Sequence, residues 1–177
     1  MFTVHIDNDI ELALIEESLA AQYCALVSEQ IDYLSQWLAW PAFCQSEQDF
    51  RHFIQRSLHD YAEGQSLTCA ILYQGKLVGN CSLNSIDHDL SRAKIGYWLS
   101  QNHTGKGIIT RSVLKLIDLA FNHYQIHKVE LAAAVDNFPS RKVAERTGMK
   151  LEGIITNSEK VGDRILDHAI YAIHKSV

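Results

Sequence analysis

Apolar and polar positions alternate along Ile10–Ile15, which predicts a first strand. From Leu19 to Ser28 the apolar residues fall at helical spacing, and a second short helix is expected around Tyr33–Leu38. Ser46, followed three residues later by Asp49, forms an N-cap signature for a long helix over Glu47–Glu63, which Gly64 closes. Leu67–Tyr73 and Lys76–Leu83 read as strands joined by a tight turn at Gln74-Gly75, and Lys94–Leu99 completes an antiparallel meander.

The period then changes. Ile108, Val113, Leu114, Ile117, Leu119, Ala120 and Phe121 recur at helix spacing within Gly107–Tyr124, and a strand follows over Lys128–Val135. Strand, helix and strand of this length predict a right-handed parallel crossover. A further helix is expected over Pro139–Arg146, with Pro139 in its first turn and Gly148 just past its end. Strands near Lys150–Glu159 and Arg164–His174, separated by Val161-Gly162-Asp163, predict a closing hairpin. The expected fold is α+β, a mixed sheet with one parallel βαβ crossover. With two prolines and no repeat or linker, residues 1–177 are expected to form one domain.

Composition narrows the function classes. A chain of 177 residues that is 47% hydrophobic and 21% charged can bury a core without disulfides. The net charge of -5 argues against nucleic acid as a partner, because neutralising phosphates needs a surplus of Lys and Arg. No segment approaches the roughly 20 apolar residues of a membrane helix, so the protein is expected in the cytoplasm, away from membranes. Cys24, Cys44, Cys69 and Cys81 have neither metal nor disulfide spacing and are expected as reduced thiols. His123 and His127 lack further ligands nearby, so no metal is expected.

Between the third meander strand and the next helix lies Asn102-His103-Thr104-Gly105-Lys106-Gly107. Gly105 and Gly107 let the backbone turn its amides toward a ligand, and the helix start adds partial positive charge, so a diphosphate suits the loop. Lys106, Thr104 or Thr110 could add contacts, and Arg111 lies in the helix's first turn. A Walker A loop fails here, since Ser100 and Gly107 stand where Gly and Ser or Thr are required. A dinucleotide fingerprint fails too, because Thr110 stands at its third glycine and the loop follows an antiparallel meander. A plain strand-to-helix connector remains open at this level.

Asn102-x-x-Gly105-x-Gly107 resembles the acetyl-CoA pyrophosphate signature of the GNAT superfamily, Gln/Arg-x-x-Gly-x-Gly/Ala, with Asn102 as a departure. Ile95-Gly96-Tyr97-Trp98-Leu99, Gly105-Lys106-Gly107-Ile108-Ile109, Asp136-Asn137-x-x-Ser140 and Arg146-x-Gly148-Met149 are similar to the ribosomal-protein N-acetyltransferase branch. Trp40-Pro41, Gln45-Ser46-Glu47 and Leu151-Glu152-Gly153 extend the likeness over nearly the whole chain. The resemblance implies a GNAT-like twisted, mostly antiparallel sheet with helices on both faces. It implies that the strand before the loop carries a bulge and splays from the next parallel strand, leaving room for the cofactor's pantetheine. It also implies acetyl-CoA as cofactor and a homodimer.

Amide formation from a thioester needs a neutral amine, a site for the oxyanion and a proton for the departing thiolate. By the resemblance, Tyr97, Trp98 and Leu99 supply backbone amides to the cofactor arm, with Ile108 at the adjoining helix start; His103, in the loop, is placed to touch the cofactor or to stand as an exposed loop histidine. As plain structure, Tyr97 and Trp98 fit equally well as core aromatics on opposite strand faces. The resemblance implies Asn137 as a pantetheine contact and Ser140 as general acid, although these residues and Asp136 also suit a helix cap. It implies Glu159 as general base, where the bland alternative is a carboxylate paired with Lys160 or Arg164. Trp37, Trp40 and Pro41 resemble an acceptor-pocket wall, or simply pack.

An α-amine with pKa near 8 is roughly a tenth neutral at pH 7, whereas a lysine amine costs on the order of 3 kcal/mol more to deprotonate. The leading expectation is acetyl transfer to a protein N-terminus. A small amine such as a polyamine or antibiotic, or a non-catalytic acyl-CoA-binding module, shares the same sequence features.

Overall fold

The structure, a computed structural model, describes residues 1–176. Alternation along the strands produces a sheet with two buried faces. β1 (Thr3–His5) and β2 (Ile10–Leu14) lead into a helical layer of α1 (Ala20–Ser28), α2 (Ile31–Leu34) and α3 (Glu47–Ala62). The meander is β3 (Leu67–Tyr73), β4 (Lys76–Asp87) and β5 (Arg92–Leu99). Then come α4 (Ile108–Asn122), β6 (Lys128–Ala134), α5 (Phe138–Arg146), β7 (Lys150–Val161) and β8 (Arg164–His174). The eight strands run in the order β1-β2-β3-β4-β5-β6-β8-β7, antiparallel except for the β5/β6 pair. The mixed architecture expected from the sequence is therefore the one observed, with helices on both faces.

Odd and even residues divide the core. Ile71, Cys81, Ile95, Leu131 and Tyr171 pack with α4 and α5, whereas Ala70, Leu72 and Trp98 pack with α1 and α3. Ile108, Val113 and Leu116 of α4 are fully buried, each contributing about 1.5–3 kcal/mol of apolar burial. Leu114, expected on that stripe, is 47% exposed. Ser46 caps α3 as expected: its hydroxyl accepts from the Asp49 amide, and Asp49 receives the Ser46 amide at 2.9 Å. The Gln74-Gly75 turn has positive φ at both residues, 50° and 75°, the geometry of a tight two-residue hairpin.

Some boundaries differ. β1 is three residues long, too short to carry a periodic signal. β4 runs on to Asp87, past the expected Leu83, because a bulge at Asn84 carries the pairing through: Leu83 opposes Ile95 and Ser85 opposes Lys94. The resemblance placed that bulge on the strand before the loop, but the extra residue is on its partner β4. Gly96 lies against the bulged residue, where a Cβ would come within 2.2 Å of the Asn84 amide nitrogen. The short helix expected over Tyr33–Leu38 sits earlier, at Ile31–Leu34, followed by a 3₁₀ turn at Trp40–Phe43.

Candidate active site

The parallel pairing of β5 and β6 covers four residue pairs, from Arg92↔Lys128 to Ile95↔Leu131, and stops. Beyond it β5 stays paired with β4 as far as Leu99, while β6 stays paired with β8 as far as Ala134. The two central strands therefore diverge into a gap. A cleft of about 2490 Å³ runs through it and is lined from both faces of the sheet. Which backbone groups face the gap follows from alternation. The Ser100 amide donates to Val78, and the Trp98 carbonyl lies against Gly79, so residues 98 and 100 turn toward β4. The amides and carbonyls of Tyr97 and Leu99 then face the gap, the arrangement needed to hydrogen-bond an extended cofactor arm.

At the mouth of the gap Gly105 and Gly107 adopt left-handed φ values of 76° and 70°, and Gly107 is the N-cap of α4. Among the described residues, the amides of 105–110 have no acceptor in the protein. Six consecutive free N–H groups at a helix N-terminus fit a diphosphate. Around them the loop is tied down. Gln30 accepts from the Gln101 amide at 2.6 Å and donates to the Ser100 hydroxyl at 3.2 Å. The Arg111 guanidinium donates to the Lys106 carbonyl at 3.0 Å and pairs with Asp7 at 2.5 Å. Hydrogen bonds from the Asp9 backbone and from Arg111 hold the Asp7 carboxyl below its ordinary range.

On the α5 side Asn137 is the helix N-cap, its Oδ1 accepting from the Ser140 amide at 3.3 Å. The Ser140 hydroxyl lies 2.8 Å from the Tyr97 hydroxyl. Burial pushes the Tyr97 phenol up to about 12, opposed by that hydrogen bond, so the phenol stays protonated at neutral pH. A proton passing from such a group to a thiolate of ordinary pKa near 8.5 climbs roughly 5 kcal/mol. What a hydroxyl pair of this kind can offer a thiolate is therefore a hydrogen bond rather than full proton transfer.

The opposite face presents a different wall. Glu159 is 40% exposed, and its Oε2 lies 3.4 Å from Nε2 of His168. Neither Lys160 nor Arg164 pairs with it among the described residues. Arg164 instead donates to the Gln36 carbonyl and sits 5.9 Å from the Trp37 ring, tying the β7–β8 hairpin to the segment after α2. Trp40 and Trp98 meet at 5.8 Å, and Tyr23 meets Trp98 at 6.0 Å.

A profile described as the acetyltransferase (GNAT) domain matches residues 10–150. The chain belongs to the GNAT family. It is 31% identical to the ribosomal-protein-serine acetyltransferase of Escherichia coli K12, with 96% of this chain and 95% of that one aligned. A solved ribosomal-protein α-N-acetyltransferase, RimL, in complex with coenzyme A superposes with a TM-score of 0.94 at 27% identity, covering 98% of each chain. A microcin self-immunity acetyltransferase in complex with acetyl-CoA and AMP superposes at 0.91, with 31% identity and coverage of 96% and 94%. As a GNAT enzyme this protein takes its acetyl group from acetyl-CoA, and the free amides, the gap and the loop glycines fit that molecule.

This GNAT chain brings most of the expected site residues to one cleft and leaves some outside it. Tyr97, Leu99, His103, Thr104, Gly105, Gly107, Ile108, Thr110, Asn137 and Ser140 line it, as do Glu159, Trp37 and Trp40. The Thr104 hydroxyl is used within the loop, donating to the Gln101 carbonyl at 2.8 Å. His103 faces Ser100, 3.1 Å from its hydroxyl, and burial lowers its pKa. Trp98 also lines the cleft, its side chain packed in the aromatic cluster with α1 and α3 on the Trp40 side. Lys106 lies over the Tyr73 ring at 5.2 Å, Asn102 is exposed in a 3₁₀ turn and Pro41 is buried; none of the three lines the cleft. Sequence reasoning missed Gln30 and His168. Gln30 gives no periodic signal, whereas Asp167-His168 interrupts an apolar run between Leu166 and Ala169.

Proposed function

We propose that this GNAT enzyme acetylates the α-amine of a protein N-terminus. The observation that carries the reading is the acceptor wall itself: a half-exposed carboxylate, Glu159, on an open, aromatic-lined side of the gap. A solvent-connected base suffices for an amine of pKa near 8 and falls short for one near 10.4. An open wall also admits an extended peptide. The E. coli relative, named for ribosomal-protein serine, supports the same acceptor class.

In this reading the acetyl thioester is the electrophile, bound by the loop amides, by Asn137 and by the Tyr97 and Leu99 backbone. The Tyr97 and Leu99 amides polarise its carbonyl. Ser140, backed by Tyr97, hydrogen-bonds the leaving sulfur from the α5 face. The amine's proton leaves on the opposite face, toward the Glu159 side of the cleft. The exposed apolar residues Leu151 and Ile154 on the edge strand β7, with Ile165 on β8, support association of two copies there.

The test is free-thiol release from acetyl-CoA with N-terminal peptides, polyamines and aminoglycosides offered separately. Release with peptides alone is the expected result. Release with small amines only would replace it with the second reading, which the AMP-bound microcin-immunity relative favours. Tight coenzyme A binding with no turnover would leave a binding module.

A further inference from the structure

Strand register places Glu159 and His168 on the same sheet face, since Ile155 pairs with His168 and Glu159 with Leu166. A register shift between Ile155 and Glu159, with Asn157 at φ 50°, aims the carboxylate back at the ring. The His168 side chain is 15% exposed against 40% for Glu159, so the imidazole lies deeper in the cleft. It stands opposite Ala134 on β6, beyond the point where β6 has left β5. Nε2 lies 3.4 Å from the carboxylate, and the tautomer that points its N–H there leaves Nδ1 as the acceptor. Among the described residues Nδ1 has no hydrogen-bond partner.

We propose that His168 takes the proton from the acceptor ammonium, with Glu159 holding its Nε2–H and stabilising the imidazolium. The proposal rests on the reading of amine acetylation. An ordinary imidazole accepts a proton from an α-ammonium roughly 30-fold uphill, an ordinary glutamate roughly 5,000-fold uphill. In the step, the ammonium loses one proton to Nδ1 and the freed nitrogen pair forms the C–N bond. The C–S bond breaks, the second amine proton reaches the thiolate, and the imidazolium returns its proton to water.

The other charged groups on this side of the cleft are engaged elsewhere. Glu130 is held by Lys128 at 2.8 Å, Arg92 lies 3.5 Å from Asp87 and Asp49 is tied to Ser46 at 2.9 Å. His52 faces Gln48 at 2.9 Å, and Asp167, beside His168, accepts from the Asn157 amide at 2.9 Å. Lys94 and Arg56 also line the cleft, and Glu159 is the carboxylate within 4 Å of the His168 ring.

The test is kcat against pH with saturating acetyl-CoA and an N-terminal peptide. The wild type should show a rising limb in the imidazole range. His168→Gln should lower kcat about a hundredfold and remove that limb, while calorimetric coenzyme A affinity stays within about twofold. Glu159→Gln should move the limb to lower pH, because the carboxylate no longer stabilises the imidazolium. Added imidazole should restore rate to His168→Ala. A His168→Gln enzyme that keeps the limb, at full or reduced rate, overturns the assignment and leaves the transferase reading standing. A wild type that turns over no amine overturns that reading first, and the assignment with it.

Discussion

The two walls of the cleft are made of different material. The wall that the proposed function gives to the thioester is mostly backbone: free amides at 105–110, the gap-facing groups of Tyr97 and Leu99, and a capped helix start at Asn137. The acceptor wall is mostly side chains, with Glu159 and His168 from the hairpin and Trp37 and Trp40 from the segment after α2. Backbone amides recognise what every substrate of the enzyme shares, a diphosphate and an extended arm. Side chains can change without disturbing the sheet, so they are where the choice of amine resides. Binding and chemistry should therefore separate by wall when residues are changed.

The largest effect is expected at Gly107, whose φ of 70° suits no β-branched residue. Gly107→Val should weaken coenzyme A binding by at least about a hundredfold in calorimetry, and wild-type affinity in that variant would break the division between the walls. Glu159→Gln comes next, slowing transfer about a hundredfold at pH 7 and less below it as the limb moves to lower pH, with coenzyme A affinity unchanged. An unaltered pH–rate profile would remove Glu159 from the proton path. Tyr97→Phe tests whether the first wall also serves the chemistry. Loss of the 2.8 Å contact with Ser140 should lower kcat about fivefold without altering coenzyme A affinity.

Trp37→Ala, which removes the ring beside Arg164, should raise KM for the acceptor about two- to fivefold and leave KM for acetyl-CoA alone. The smallest effect concerns the anchoring of α3, which carries part of the acceptor wall. The Ser46 hydroxyl is the main cause holding the Asp49 carboxyl below its usual range. Its contribution to stability is present above the unfolded value near 3.9 and is lost as pH falls through the lower folded one. Thermal melts from pH 5 to 3 should show a shallower acid loss in Ser46→Ala than in the wild type.

The same contrast explains what was legible beforehand. The loop glycines were readable because positive φ at a helix start is a local requirement that few residues meet. The Asn137 cap and the α3 capping box were readable for the same reason, each spanning three residues. Asn102 and Lys106 share the loop's sequence pattern, yet their side chains leave the cleft, and no local rule sets that direction. Gln30 reaches Gln101 across 71 positions of chain, and Arg164 reaches Gln36 across 128.

The sequence by itself determined the order of elements, the parallel crossover and the anion-binding turn, because periodicity and backbone conformation are settled within a few residues. Tertiary structure alone decided where β5 and β6 part, that the bulge falls on β4 at Asn84, and that His168 comes to lie against Glu159. Those outcomes depend on strand register, and register is fixed by the packing of both sheet faces at once.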